Sequence, residues 1–294
     1  MAISCEERSV QVDLVNTTAS DGVRLDGAIW AAAFDGPQCE FDAVMCLHGV
    51  GGNFYGSRLF DALTEPLRAR GISVLRVNTR GHDGVSTAST PHGGRLQGAA
   101  YERVSDCCLD VAAWADFLVA ANLPRIAIIG HSLGALKAIY AQAYAPHEAV
   151  RRIVAISPPR LSYTKFVHGT DAQRFRSSLE MAEQLVREGQ PQMLFLASFP
   201  FPLILAAATF LDKYGIEERY NLLKFSERLA TPTWFVYGAE ELASGGSAFD
   251  GVTQEIESAA WGSRTPSVHV IPDANHFYVG SLNELSHVVL GALQ

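Results

Sequence analysis

Ser132 lies in Gly130-His131-Ser132-Leu133-Gly134, directly after the apolar run Ile126-Ala127-Ile128-Ile129 and directly before Ala135-Leu136-Lys137-Ala138, a helix-forming stretch. The G-x-S-x-G pattern alone is common by composition, and the strand before it and helix after it are what give it meaning. It predicts a strand-to-helix turn so tight that side chains at Gly130 and Gly134 would clash. The Ser132 hydroxyl would stand above the sheet edge, over a helix N-terminus. A serine hydroxyl is a weak nucleophile until a base takes its proton. His276, in Pro272-Asp273-Ala274-Asn275-His276 just beyond the last predicted strand, is the candidate base. Such a base needs an acid to fix its tautomer and stabilise the imidazolium. The segment Tyr237-Gly238-Ala239-Glu240-Glu241 supplies one, with Glu241 better spaced from the strand-ending glycine and Glu240 the alternative. Asp273 shares a turn with His276, and Asp250 is a more distant reserve.

Acyl transfer through serine develops negative charge on a carbonyl oxygen, so backbone N–H donors must be waiting for it. Leu133 offers one N–H. The run His48-Gly49-Val50-Gly51-Gly52 offers a second, from Val50, with His48 and Gly49 orienting the loop. His131 lies on the wrong side of the turn to act as base and is expected to shape it. His82, His92 and His168 are read as facing solvent. The glycine run is not a phosphate loop, because Phe54 stands where G-x-G-x-x-G needs its last glycine and no Gly-Lys-Ser/Thr follows.

These residues need a scaffold that brings strand ends together. Residues 9–16 and 23–33 read as two strands around Ser20-Asp21-Gly22. Further strands are expected at 42–47, 72–77, 126–131, 150–157, 232–237 and 267–271, and helices at 54–70, 101–122, 133–144 and 281–293. The alternation implies an α/β fold with a largely parallel sheet, whose ligands lie outside the carboxyl ends of the strands. The rhythm fails between 160 and 230. There a helical cap is expected, inserted after the sixth strand, with 1–159 and 231–294 forming the core. Residues 193–211 carry no charge and approach the length of a membrane span, but Pro200 and Pro202 would break a spanning helix. They are read as a lid or pocket wall, with no stable membrane insertion.

The chain has 294 residues, 48% of them hydrophobic, and a formal net charge of -8, without any Lys/Arg cluster to engage nucleic acid or an anionic membrane. Cys5, Cys39, Cys46, Cys107 and Cys108 lack C-x-x-C spacing and read as free thiols. With no apolar signal segment in the first residues, a cytoplasmic location is expected. Nothing in the pattern asks for a cofactor or metal, and it sets no oligomeric state.

Taken together, His48 to Gly52, Asn78-Thr79-Arg80-Gly81-His82, Gly130 to Ala135, Tyr237 to Glu241 and Asp273 to His276 resemble the α/β-hydrolase superfamily, in its capped, esterase-like branch. The resemblance spans nearly the whole chain and shares the superfamily's order of serine, acid and histidine. It implies an eight-stranded α/β-hydrolase fold, a Ser132–Glu241–His276 triad and an oxyanion hole at Val50 and Leu133. Glutamate in place of the commoner aspartate is a departure. Ser132, where dehalogenase relatives carry aspartate, argues against halide chemistry. The function expected is hydrolysis of a small or medium, partly hydrophobic carboxylic ester through an acyl-enzyme. Thioester, lactone or amide hydrolysis and perhydrolysis use the same groups, and a non-enzymatic ligand receptor on this fold is the rival from another class.

Overall fold

The computed structural model describes residues 12–34, 40–262 and 265–294. Asp13–Thr18 (β1) and Arg24–Trp30 (β2) form the opening antiparallel hairpin, closed at Gly22, whose φ of 82° favours glycine. The expected first strand began at residue 9, and residues 9–11 lie outside the described residues. Ala43–Leu47 (β3) follows, then the helix Arg58–Arg68 (α1) and Ser73–Val77 (β4). The helix starts four residues later than its apolar spacing predicts. Gly56 N–H bonds to Asn53 Oδ1 in a local turn, and Ser57 caps the helix through Phe60 N–H.

The polar loop after β4 contains an unforeseen hairpin, Ser86–Thr90 (β5) with Gly93–Gln97 (β6). The helix expected over 101–122 is a short 3₁₀ turn at Val104–Asp106 followed by Cys107–Ala120 (α2). Ile126–His131 (β7), Leu133–Tyr144 (α3) and Val150–Ile156 (β8) then match the expected elements closely.

Between β8 and the next strand of the main sheet the chain forms Tyr163–His168 (α4), Ala172–Arg187 (α5), a hairpin of Leu194–Ala197 (β9) and Leu203–Ala206 (β10), and Ala207–Tyr214 (α6). The segment expected to be helical is therefore mixed. Pro200 and Pro202 occupy the connection of the β9–β10 hairpin, where a missing N–H costs nothing. Phe199 is buried against Phe166, Phe175 and Tyr214, with ring centroids 4.7, 5.1 and 5.6 Å away. The uncharged stretch thus supplies the core of the insertion, while Leu196 and Ile204 face outward. Among the described residues no helix is long and apolar enough to cross a membrane.

The chain returns to the sheet with Thr233–Gly238 (β11), the short helices Ala239–Ser244 (α7) and Val252–Ser258 (α8), Ser267–Ile271 (β12) and the closing helix Leu282–Ala292 (α9). The main sheet has eight strands in the order β1-β2-β4-β3-β7-β8-β11-β12, parallel from β4 to β12. Strands β3, β4 and β7 are buried at every position, as strands covered on both faces must be. Met45, Leu47, Leu75 and Ile128 face α2 and α3, whereas Val44, Cys46, Val74 and Ile129 face α1 and α9. Cys46 and Cys107 are buried free thiols and Cys108 is a partly buried one; Cys5 and Cys39 lie outside the described residues. In register, Leu47 pairs with Gly130, Gly130 with Ala155 and Gly238 with Ile271. The loops that follow these residues consequently open on one edge of the sheet.

Candidate active site

The turn from β7 to α3 is tight in the way its glycines require. A Cβ on Gly130 would lie 2.5 Å from the backbone nitrogen of Ala135, and one on Gly134 would lie 2.2 Å from the Leu47 carbonyl oxygen. Ser132, between them, has φ 56° and ψ −124°, a conformation that costs a non-glycine residue about 1–3 kcal/mol. Its N–H is anchored to the Ile156 carbonyl at 2.8 Å. The strain throws the side chain outward: Ser132 Oγ lies 3.1 Å from His276 Nε2.

His276 arrives on the loop after β12. Gly238 lets that loop approach, since a Cβ there would meet the Ala274 carbonyl oxygen at 2.1 Å. The Glu240 N–H donates to the same carbonyl at 3.1 Å. The other ring nitrogen, Nδ1, forms a very short contact with Glu241 Oε1. The Glu241 carboxylate is buried and the Glu240 side chain is exposed, so the structure brings Glu241 to His276 and leaves Glu240 in solvent. Asp273 and Asp250 are also exposed.

His131 donates from Nε2 to the His276 carbonyl oxygen at 2.8 Å, because that oxygen can only accept. Burial, reinforced by the neighbouring His276, pushes the His131 pKa down to about 3, so its ring stays neutral. His48 is buried as well. Its Nδ1–H donates to the Gly49 carbonyl at 2.8 Å and its Nε2 accepts the Thr79 N–H at 3.1 Å, which sets the tautomer. Burial and the Lys137 ammonium hold its pKa at about 3.

The Gly49 carbonyl also takes the Gly52 N–H at 3.1 Å, so two donors pin the turn that contains Val50. A Cβ on Gly49 would stand 3.1 Å from that of Ser132, and the loop therefore passes close over the serine. Among the described residues neither the Val50 N–H nor the Leu133 N–H has a protein acceptor. Two unspent donors beside the half-buried Ser132 and an imidazole form an arrangement able to stabilise an oxyanion.

Two groups of residues were not singled out in the sequence. Ser157, the residue after β8, donates its hydroxyl to Glu241 Oε2 at 2.6 Å and lies 2.9 Å from the Tyr278 hydroxyl. A polar residue at a strand's carboxyl end was the available signal. Further inside, Lys137 Nζ bonds to Thr79 Oγ1 at 2.9 Å and pairs tightly with Glu102. Lys213, from α6 of the insertion, stands 3.6 Å from the same carboxylate. Burial would raise the Glu102 pKa, but the two ammonium groups more than offset it and hold the carboxyl below its usual value. Burial lowers Lys213. Gly81 makes room for Glu102, since a Cβ there would lie 2.0 Å from Oε1. The visible signal was a lysine inside the otherwise apolar run Ala135 to Tyr140.

His168 and Asp250 line a cleft of about 780 Å³ between α4 and α7, together with Lys165, Leu242 and Ser244. His92 is exposed, and His82 is partly buried with Nδ1 2.8 Å from Asp83. Among the described residues no three His, Cys, Asp or Glu side chains converge as metal ligands.

The fold has close counterparts. The α/β hydrolase GrgF of Penicillium sp. sh18 is 16% identical with a TM-score of 0.69, covering 97% of this chain and 98% of its own. Est1E of Butyrivibrio proteoclasticus, solved with ferulic acid, is 17% identical with a TM-score of 0.61, covering 93% and 95%. A soluble variant of the monoglyceride lipase of Saccharomyces cerevisiae, in complex with a substrate analogue, is 14% identical with a TM-score of 0.63, covering 98% and 97%. At these identities the likeness establishes the fold alone. No protein of curated function matches the sequence. The sequence model of the alpha/beta hydrolase family matches residues 44–285, most of the chain and every residue of the site above, and the chain belongs to that family.

Proposed function

We propose that this protein is a serine hydrolase that cleaves a small or medium, partly hydrophobic carboxylic ester in two steps. Ser132 attacks the carbonyl while His276 accepts its proton and passes it to the departing alcohol. Glu241 holds the His276 ring in the tautomer that leaves Nε2 free to act as base. The N–H groups of Val50 and Leu133 receive the developing oxyanion. Water then attacks the acyl-enzyme, with His276 again as base. The observation that carries this reading is the unbroken line from Ser132 Oγ to His276 Nε2 at 3.1 Å and on from Nδ1 to the buried Glu241.

Residues 160–230 serve in this reading as the cap, and residues 1–159 and 231–294 as the core. The rings of Phe249 and Phe277, 5.5 and 5.1 Å from that of His276, support an apolar acyl or alcohol portion. Kinetics on p-nitrophenyl esters of graded acyl length test the proposal. Saturable turnover by the purified chain, reduced at least about a thousandfold in Ser132→Ala, is the result expected. Turnover unchanged in that variant would refute it. Thioesters and lactones run in parallel decide among the related bond types.

A further inference from the structure

Glu241 carries a clamp on the oxygen that does not face His276. Its Oε2 accepts the Ser157 hydroxyl at 2.6 Å and, more weakly, the Gly238 N–H at 3.4 Å. Ser157 has a single hydroxyl proton, and it is committed to Oε2. The 2.9 Å contact between Ser157 Oγ and the Tyr278 hydroxyl must then be served by the tyrosine proton, which also points to the Val236 carbonyl at 3.2 Å. That carbonyl already takes the Ser157 N–H at 2.8 Å. All of these groups are buried, with the Ser157 and Tyr278 side chains sealed from solvent.

The backbone is bent to make this possible. Ser157 has φ 51° and Tyr278 has φ 55°, left-handed conformations that bulky or β-carbon-bearing residues adopt at a cost. Strain at two residues that meet over one carboxylate is held in place by what surrounds it. The clamp also joins three separate segments: Ser157 directly follows β8, Val236 and Glu241 bracket the end of β11, and Tyr278 lies two residues beyond His276. A glutamate reaches one methylene further than an aspartate and has one more torsion to fix. A donor on its far oxygen supplies that restraint.

We propose that Ser157 and Tyr278 are positioning residues for the Glu241–His276 pair, with Ser157 fixing the rotamer of the acid and Tyr278 fixing Ser157. This rests on the serine-hydrolase reading above. In it, Ser157 acts only through Glu241, and its effect disappears when Glu241 is gone.

The test is the second-order rate at which a fluorophosphonate labels Ser132, read by mass spectrometry, in the wild type, Ser157→Gly, Tyr278→Phe, Glu241→Ala and Ser157→Gly/Glu241→Ala. Glycine accepts the φ of residue 157 and loses only the hydroxymethyl group there, and phenylalanine keeps the packing at 278 and loses only the hydroxyl. A hydrogen bond to a carboxylate justifies a loss of about tenfold or more for Ser157→Gly. A smaller loss is expected for Tyr278→Phe, and no further loss when Ser157→Gly is added to Glu241→Ala. Wild-type rates in both single variants, or a Ser157→Gly loss that persists in full without Glu241, would overturn the positioning role alone. A folded wild type that is not labelled at Ser132 would overturn the hydrolase reading and this proposal with it.

Discussion

His131 and His276 are joined by a hydrogen bond from ring to backbone: Nε2 of His131, the residue before Ser132, donates to the His276 carbonyl at 2.8 Å. The rings lie 4.9 Å apart. The serine turn and the histidine loop are thereby tied directly, and the 3.1 Å reach from Nε2 of His276 to Ser132 Oγ is set from both sides.

His131→Phe keeps a ring and removes the donor. We expect kcat on an activated ester to fall by roughly tenfold, the scale of one lost hydrogen bond of about 1–1.5 kcal/mol. KM should change little. The pH profile should keep its shape above pH 5, because His131 stays neutral down to about pH 3. A displaced profile would mean that His131 titrates in the working range.

The two buried histidines also make acid sensitivity readable. Both have folded-state pKa values lowered from 6.5 to about 3. Below about pH 6.5 the unfolded chain binds protons that the folded chain refuses, so their contribution is complete above that pH and is lost as pH falls towards 3. Each adds a slope of about 1.4 kcal/mol per pH unit in that window. Urea unfolding of wild type and His131→Phe at pH 7, 6, 5 and 4 should show a shallower loss in the variant. Parallel curves would contradict the burial argument.

Gly134→Ala places a Cβ 2.2 Å from the Leu47 carbonyl oxygen, against backbone that cannot step aside. A loss of about 2–3 kcal/mol is expected from overpacking of this kind, measurable as a lower urea midpoint with an unchanged m-value. Ala substitution at Gly251, where a Cβ meets nothing within 4 Å, should cost less despite its φ of 65°.

The buried lysines should differ sharply. Lys137 is hydrogen-bonded to Thr79 and paired with Glu102, whereas Lys213 stands 3.6 Å from that carboxylate and has no hydrogen-bond partner among the described residues. Lys137→Met leaves the buried Glu102 carboxylate only the looser approach of Lys213 and should cost about 3–5 kcal/mol. Lys213→Met leaves the tighter pair intact and should change stability by less than about 1 kcal/mol. Equal losses in thermal or urea unfolding would show that Glu102 depends on both.

Much of the scaffold was legible because its signals are local. The buried strands announce themselves as unbroken apolar runs, and Gly130 and Gly134 are needed for contacts that no other residue permits. The choice between Glu240 and Glu241 follows from a helix that starts right after Gly238. Successive side chains there diverge by about 100°, so only one of the two faces inward. Less was visible where the partner is distant in sequence. Ser157, followed by two prolines, looks like an ordinary turn residue until Glu241, 84 positions later, is placed beside it. The β9–β10 hairpin hid for another reason. Leu196 and Ile204 on its outer face are as apolar as Ala197 and Leu205 within, so the run has no alternation to read.

In the proposed mechanism His276 activates Ser132. The most direct measurement is the time course of fluorophosphonate labelling of the purified chain and of His276→Ala, with the adduct located by peptide mass spectrometry. Rapid, stoichiometric modification of Ser132 is expected in the wild type, with a loss of at least about a thousandfold in rate without His276. Equal labelling of the two proteins, or an adduct on another residue, would contradict this mechanism.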